Sequence, residues 1–182
     1  MTGTVSRTEQ HFRRIDMRGY TRSDGLFEVE GRVTDRKREA ITGWLGGRDV
    51  PANEPLHDMG VRIVFDQAMT VLEIETFTDA APYSMCPNGG QSLQALKGIR
   101  MSSGWSQRVR ALLANAHTCT HLMQLLAPMA TTAFQTLSRS RRAADLARDA
   151  TGRPEKVDSC YAYNAGNDIV KNNWPEFYNS GK

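Results

Sequence analysis

The feature that most constrains the fold is a stretch of alternating residues behind a tight turn. Phe27, Val29 and Val33 alternate with Glu28, Glu30 and Arg32, so a strand here buries one face and wets the other. Ser23-Asp24-Gly25 precedes it, and an Asp-Gly pair supplies the positive φ angles that a tight hairpin turn needs. The pattern predicts a β-hairpin over 12–35, with strands at Phe12–Tyr20 and Leu26–Asp35. Met59, Val61, Ile63 and Phe65 share one face of another strand. Asp66-Gln67 turns the chain there, and Val71–Thr78 returns. The two hairpins predict a small antiparallel sheet.

Beyond Pro82 the period changes. Ser92–Lys97 reads as a short helical piece and Trp105–Asn115 as a second helix, with Val109, Leu112 and Leu113 on its apolar side. The third runs from about Thr120 to Leu146, where Leu122, Leu125, Leu126, Met129, Ala130 and Phe134 recur at helical spacing. Pro128 should kink or divide it. The tail predicts a closing β-hairpin, Val157–Tyr163 and Ile169–Trp174, around Asn164-Ala165-Gly166-Asn167. The expected fold is α+β: a small antiparallel sheet built from β-hairpins, three helices packed on one face, and a C-terminal β-hairpin. One domain over 1–182 is expected from the length, with a flexible polar stretch at 1–10. Residues 36–56, punctuated by Gly43, Gly46, Gly47, Pro51 and Pro55, read as a long loop. Trp44 and Leu45 in its middle suit a lid, a partner contact or a core anchor.

Composition excludes several classes. A hydrophobic share of 40% and a charged share of 24% are those of an ordinary globular chain. No stretch approaches the roughly 20 apolar residues of a membrane span, and Met1–Gln10 has no apolar core of a secretory leader. Three widely spaced cysteines read as free thiols in a reducing compartment, so a cytoplasmic location is expected. A net charge of +3 is too weak to argue for nucleic acid. The cluster Arg139, Arg141, Arg142, Arg148 and Arg153 reads as a solvated helix face before a phosphate patch. The common phosphate-loop, dinucleotide, serine-elbow and zinc-protease motifs are all missing, which argues against a nucleotide-driven enzyme or a common serine hydrolase.

The chemistry-bearing residues gather at element ends, where sites are usually built. Cys86, within Pro82-Tyr83-Ser84-Met85-Cys86-Pro87, lies between a strand and a helix. Helix N–H groups there favour a thiolate. Cys119 and His121 begin the long helix, with Thr118 or Thr120 as its N-cap. Residues two apart in a helix diverge by about 200°, so these two converge only if Cys119 sits at or before the cap. His57 and Asp58 open a strand, and successive strand side chains take opposite faces. Each has a bland alternative: a buried cysteine that only packs, or a core histidine that is merely hydrogen-bonded. Cys160, between strand aromatics, reads as packing.

His57-Asp58-Met59, Thr78 to Tyr83 with Cys86-Pro87, Gly104-Trp105, Cys119-Thr120-His121-Leu122, Ala130 to Thr136 and Val157 to Ala162 together resemble the family called domain of unknown function 2889. The resemblance spans nearly the whole chain. A weaker one is to the NifU-like iron–sulfur scaffold fold, in which Asp58, Cys86 and Cys119 would stand at ligand positions. The chain departs from that pattern at Leu56 and Thr118.

The functional expectation is a small-molecule catabolic enzyme. The family resemblance implies a catabolic role, and the residues offer acid–base chemistry. The expected reaction is a cofactor-independent lyase acting on an aromatic or apolar substrate, for example releasing formaldehyde from a lignin-type aromatic dimer. His121, His57, Asp58, Cys119 and Cys86 are the candidate catalytic residues; Tyr83, Trp105 and Tyr161 are candidate substrate walls. The alternative is a metal-binding or iron–sulfur scaffold or carrier without turnover. Zinc would then sit on Asp58, Cys86, Cys119 and His121. A third reading is an interaction protein, a homodimer included, that pairs through the 36–56 loop and the apolar helix. Neither nucleic acid nor membrane is an expected partner.

Overall fold

Both predicted hairpins form, and they join edge to edge. Strands β1 (His11–Thr21), β2 (Phe27–Lys37), β3 (Pro55–Phe65) and β4 (Val71–Ala80) make one antiparallel sheet in the order β1-β2-β3-β4. The computed structural model describes residues 4–114, 117–137 and 148–179. They belong to two compact units, Met1–Leu137 and Ser138–Lys182. The alternation works as read: Val29, Val33, Met59, Val61, Ile63 and Phe65 lie on one face and are buried. Gly25 takes a φ of 84° in the first turn, a conformation open to glycine at little cost.

Three helical segments complete the first unit. A 3₁₀ helix spans Cys86–Leu96, α1 spans Trp105–Leu113 and α2 spans Thr120–Thr136. Helix α2 lies across β1, β2 and β3, the 3₁₀ helix lies against β4, and α1 packs on both of them. Leu122, Leu125, Leu126, Met129 and Ala133 form the buried stripe of α2. Each large apolar side chain so buried contributes roughly 1.5–3 kcal/mol. Burial on both sides of Pro128 offsets the one backbone hydrogen bond it removes, so α2 runs through without dividing. Close approach to the sheet depends on missing side chains: a Cβ at Gly31 would meet Met129 at 3.0 Å. Leu112 and Phe134, expected on apolar faces, are 42% and 50% exposed instead. The predicted stretches at Asn115 and from 138 to 146, with Arg139, Arg141 and Arg142, lie outside the described residues.

Segment 38–54 joins β2 to β3. Its own bridge, Ile41 to Val50, closes it. Arg48 ties it down by donating to the carbonyls of Ala81 at 2.8 Å and Pro55 at 2.6 Å. Val50 is the buried anchor, while Leu45 at the tip is 80% exposed.

The second unit corrects an expectation. No strand forms at Val157–Tyr163 or Ile169–Trp174; turns occupy the first and helix α3 (Asp168–Asn173) most of the second. Local polar chemistry wins over the aromatic and β-branched content. Asp158 takes a φ of 64° and accepts from the Ala165 N–H at 2.8 Å. Asp168 in the first turn and Lys171 in the last suit the dipole of a short helix. Among the described residues, no helix is long and apolar enough to cross a membrane.

Candidate functional site

The site begins as a row of directly opposed residues across three strands. Arg13 of β1 faces Asp35 of β2, and Asp35 faces His57 of β3. Asp35 continues the inward alternation of Val29 and Val33, so a carboxylate stands where an apolar residue is due. It is 1% exposed. The register shifts just beyond it, between Asp35 and Arg36, and such bulges often border sites.

A charge this buried needs partners, and Asp35 has several. The Arg13 guanidinium donates to both oxygens, Nε to Oδ1 at 2.7 Å and an Nη to Oδ2 at 2.8 Å. His57 Nδ1 lies 3.1 Å from Oδ2 and His11 Nε2 lies 3.2 Å from Oδ1. From the first turn of α2, His121 brings its Nε2 to 3.9 Å from Oδ2, and Gln124 accepts from Arg13 at 2.9 Å. Three of the four histidines thus surround one carboxylate. Burial pushes the Asp35 carboxyl up, but Arg13, His57 and His11 outweigh it and hold it below its ordinary value.

His57 and His121 lie ring on ring, centroids 3.9 Å apart and planes tilted by 34°. Burial, then the neighbouring His121, lower the His57 pKa to about 4 against the opposing pull of Asp35. His57 is therefore neutral at pH 7. Its Nδ1–H donates to Asp35, which leaves Nε2 as an acceptor.

Cys119 is the N-cap of α2, so its extended backbone meets the condition for facing His121. Its Sγ lies 3.9 Å from His121 Nδ1 and 3.8 Å from Met59 Sδ. Thr118, an expected cap, instead shares a hydrogen bond with Ser92 at 2.8 Å. Cys119 and Cys86 both line an open cleft of about 840 Å³. Neither His57 nor His121 lines it.

The remaining candidates stand elsewhere. Asp58 projects from the opposite face of the sheet, bonded to Arg32 Nε at 2.6 Å. It borders a second cleft of about 1020 Å³ together with Tyr83 and Arg48. The expected set Asp58, Cys86, Cys119 and His121 therefore does not converge, because Asp58 follows His57 and strand alternation sends the two apart. Among the described residues, the metal-binding groups that do converge are Asp35, His57 and His121, with donor atoms within 4.8 Å of one another. Arg13 already occupies both Asp35 oxygens, which weakens that set for a cation. Trp105 is a core residue, not a substrate wall: it is 4% exposed and donates Nε1–H to the Leu126 carbonyl at 2.8 Å. Tyr161 belongs to the second unit and is 91% exposed.

Sequence reasoning missed Asp35, Arg13 and His11. The signal was available for Asp35, a charged residue in phase with a buried strand face.

No curated protein and no solved structure matches the chain, so no match stands behind the NifU-like resemblance. One family model does match, over residues 11–135, and it takes in all four strands, the paired histidines and Cys119. The chain belongs to the family described as "Protein of unknown function (DUF2889)".

Proposed function

We propose that the chain is an acid–base enzyme of the lyase class, acting without a cofactor on a small apolar or aromatic compound. The observation that supports this is the close, tilted pair of His57 and His121 beside the buried Asp35. A neutral His57, fixed in one tautomer by Asp35, offers Nε2 to a substrate hydroxyl. The adjacent His121 carries the second proton position. Release of a one-carbon aldehyde from a hydroxymethyl group needs only these steps. The hydroxyl proton goes to a histidine, the carbon–carbon bond breaks to leave formaldehyde, and the carbon left behind takes a proton or expels a leaving group. Free Cys86, Cys119 and Cys160 suit a reducing cytoplasm in this reading.

The test is a screen of aromatic dimers bearing a hydroxymethyl group, with released formaldehyde trapped and quantified. Wild type should release it, and His57→Gln and His121→Gln should each lower the rate at least about 100-fold, within the usual range for a lost acid–base group. No release across the panel, or full rates in both variants, would overturn the reading.

A second reading rests on the convergence of Asp35, His57 and His121. Two imidazoles and a carboxylate suit zinc, and elemental analysis of freshly purified protein tests it. One equivalent of zinc, lost in His57→Gln, would favour this reading over cofactor-free chemistry.

A further inference from the structure

The sheet has two edges, and they are treated differently. At the β4 edge, Val71 donates to the Ile99 carbonyl at 3.0 Å and accepts from Gly98 at 2.8 Å, and Gln94 of the 3₁₀ helix donates to the Ile74 carbonyl at 2.8 Å. Among the described residues, β1 pairs with β2 alone. It is 11 residues long, contains no proline, and its pairing with β2 has no bulge. A long edge without those devices is a template for another strand.

The bonds at the two ends of the hairpin show which backbone groups are free. Arg38 donates to the Gln10 carbonyl at 3.4 Å and Arg22 to the Leu26 carbonyl at 2.9 Å, so the even-numbered residues of β1 point their N–H and C=O at β2. Antiparallel pairing alternates, so His11, Arg13, Ile15, Met17, Gly19 and Thr21 point theirs outward. Side chains are uncovered as well. Ile15 stands opposite the buried Val33 and in phase with the core, yet it is 44% exposed. Phe12 and Tyr20, on the other face, are 43% and 40% exposed.

The order of charges selects the occupant. A second copy of β1, antiparallel about a two-fold axis, must pair outward residues with outward residues, which leaves few registers. An axis at Asp16 would oppose the two Asp16 side chains and set Arg14 against the partner's Arg18. An axis at Met17 would leave Ile15 facing the partner's Gly19. An axis at Ile15 joins the two exposed Ile15 side chains and sets Arg14 against the partner's Asp16 twice over. Opposite charges and apolar pairs directly across a ladder stabilise it, and like charges do the reverse. Arg14 and Asp16 already bond along the strand at 2.8 Å, so this axis closes them into a ring of charges.

We propose that two copies of this chain pair through β1, antiparallel and centred on Ile15, joining their four-stranded sheets into one. The register sets the partner's Met17 against Arg13 and the partner's Gly19 against His11, the two β1 residues that bind Asp35. A second copy thereby covers the edge of the site. The proposal goes beyond the acid–base reading and does not depend on it, since pairing is measured with no substrate.

The experiment is sedimentation velocity of the full chain over a dilution series, with circular dichroism to verify folding. Wild type should pass from one to two chain masses as concentration rises. Ile15→Lys, which places a solvated charge at the axis, should stay monomeric throughout. So should Asp16→Arg, which opposes like charges across the axis. Arg14→Asp combined with Asp16→Arg restores opposite charges there and should dimerise again. In amide hydrogen exchange, the Ile15 and Met17 N–H groups should gain protection as concentration rises, whereas that of Asp16, directed at β2, is protected throughout. If a variant does not fold, the wild-type series and the exchange of Ile15 and Met17 decide. A wild type that stays monomeric, a dimer that survives Ile15→Lys, or a folded charge swap that remains monomeric would overturn the proposal.

Discussion

His57 Nδ1 lies 3.1 Å from Asp35 Oδ2, directly across the β2–β3 pair. The contact fixes the His57 tautomer, while burial and the neighbouring His121 lower its pKa against the pull of Asp35, and that carries a pH consequence. The His57 pKa falls to about 4 in the folded chain, against about 6.5 when unfolded. The unfolded state therefore binds the extra proton first. Stability is lost as pH falls from about 6.5 toward 4, by up to about 3 kcal/mol from this one group. Asp35, also held low, adds a loss at still lower pH, as the folded carboxylate is finally protonated. Urea unfolding from pH 7.5 to 4 should show the first loss, and His57→Gln should flatten it. A wild-type midpoint constant across that window would refute the assignment.

Trp105 separates a structural role from a functional one. Its indole N–H satisfies the Leu126 carbonyl at 2.8 Å inside the core. Trp105→Phe should cost about 1–3 kcal/mol in chemical denaturation. It should leave the imidazole NMR signals of His57 and His121 in place. A change in those signals without loss of stability would restore Trp105 as a wall of the site.

Asp58 neighbours His57 in sequence and yet serves the other face of the sheet. Asp58→Asn leaves Arg32 with Asp79, its second partner at 2.6 Å. The expected cost is about 1 kcal/mol, typical of a partly exposed pair. The His57 and His121 nitrogen shifts should stay within experimental error of wild type. Movement of either would mean that the two faces are coupled.

Two glycines on adjacent strands should answer differently to alanine. A Cβ at Gly60 would meet the Gly31 carbonyl oxygen at 2.4 Å and the Phe77 ring at 2.2 Å. Backbone does not yield easily, so Gly60→Ala should cost about 2–3 kcal/mol. At Gly31 the obstacles are the Met129 and Met17 side chains, near 3.0 Å, and methionine adapts. Gly31→Ala should cost about 1 kcal/mol. Equal denaturation midpoints for the two variants would count against this close-packed account.

The sheet was readable because alternation is a strong local signal: Val29, Val33, Met59, Val61 and Ile63 all face inward as their spacing requires. The same rule separated His57 from Asp58, though not which of them would face the site. Cys119 and His121 were tied to a condition at the helix cap, and the cap falls at Cys119. Asp35 escaped because it ends an apolar series, where a charge reads as the strand leaving the core. Only the pairing of β1 and β3 on either side of that end, with α2 packed on the sheet, shows that Arg13 and three imidazoles surround it. The tail failed for another reason. Tyr161, Tyr163 and Val170 suggest strands by type, but the side chains of Asp158 and Asn164 accept backbone N–H groups within the turns, and Asn167 donates to the Tyr161 carbonyl just before α3.

The meander order β1-β2-β3-β4 also fixes the sequence in which the site can come into being. Arg13 and Asp35 meet in the first hairpin, which closes a short loop and needs little else. His57 arrives with the third strand, and His121 arrives only when α2 docks. A nascent chain ending before Thr120 can therefore pair Asp35 with Arg13 and His57 while the histidine pair is still incomplete. The two imidazoles stay apart until α2 has been made.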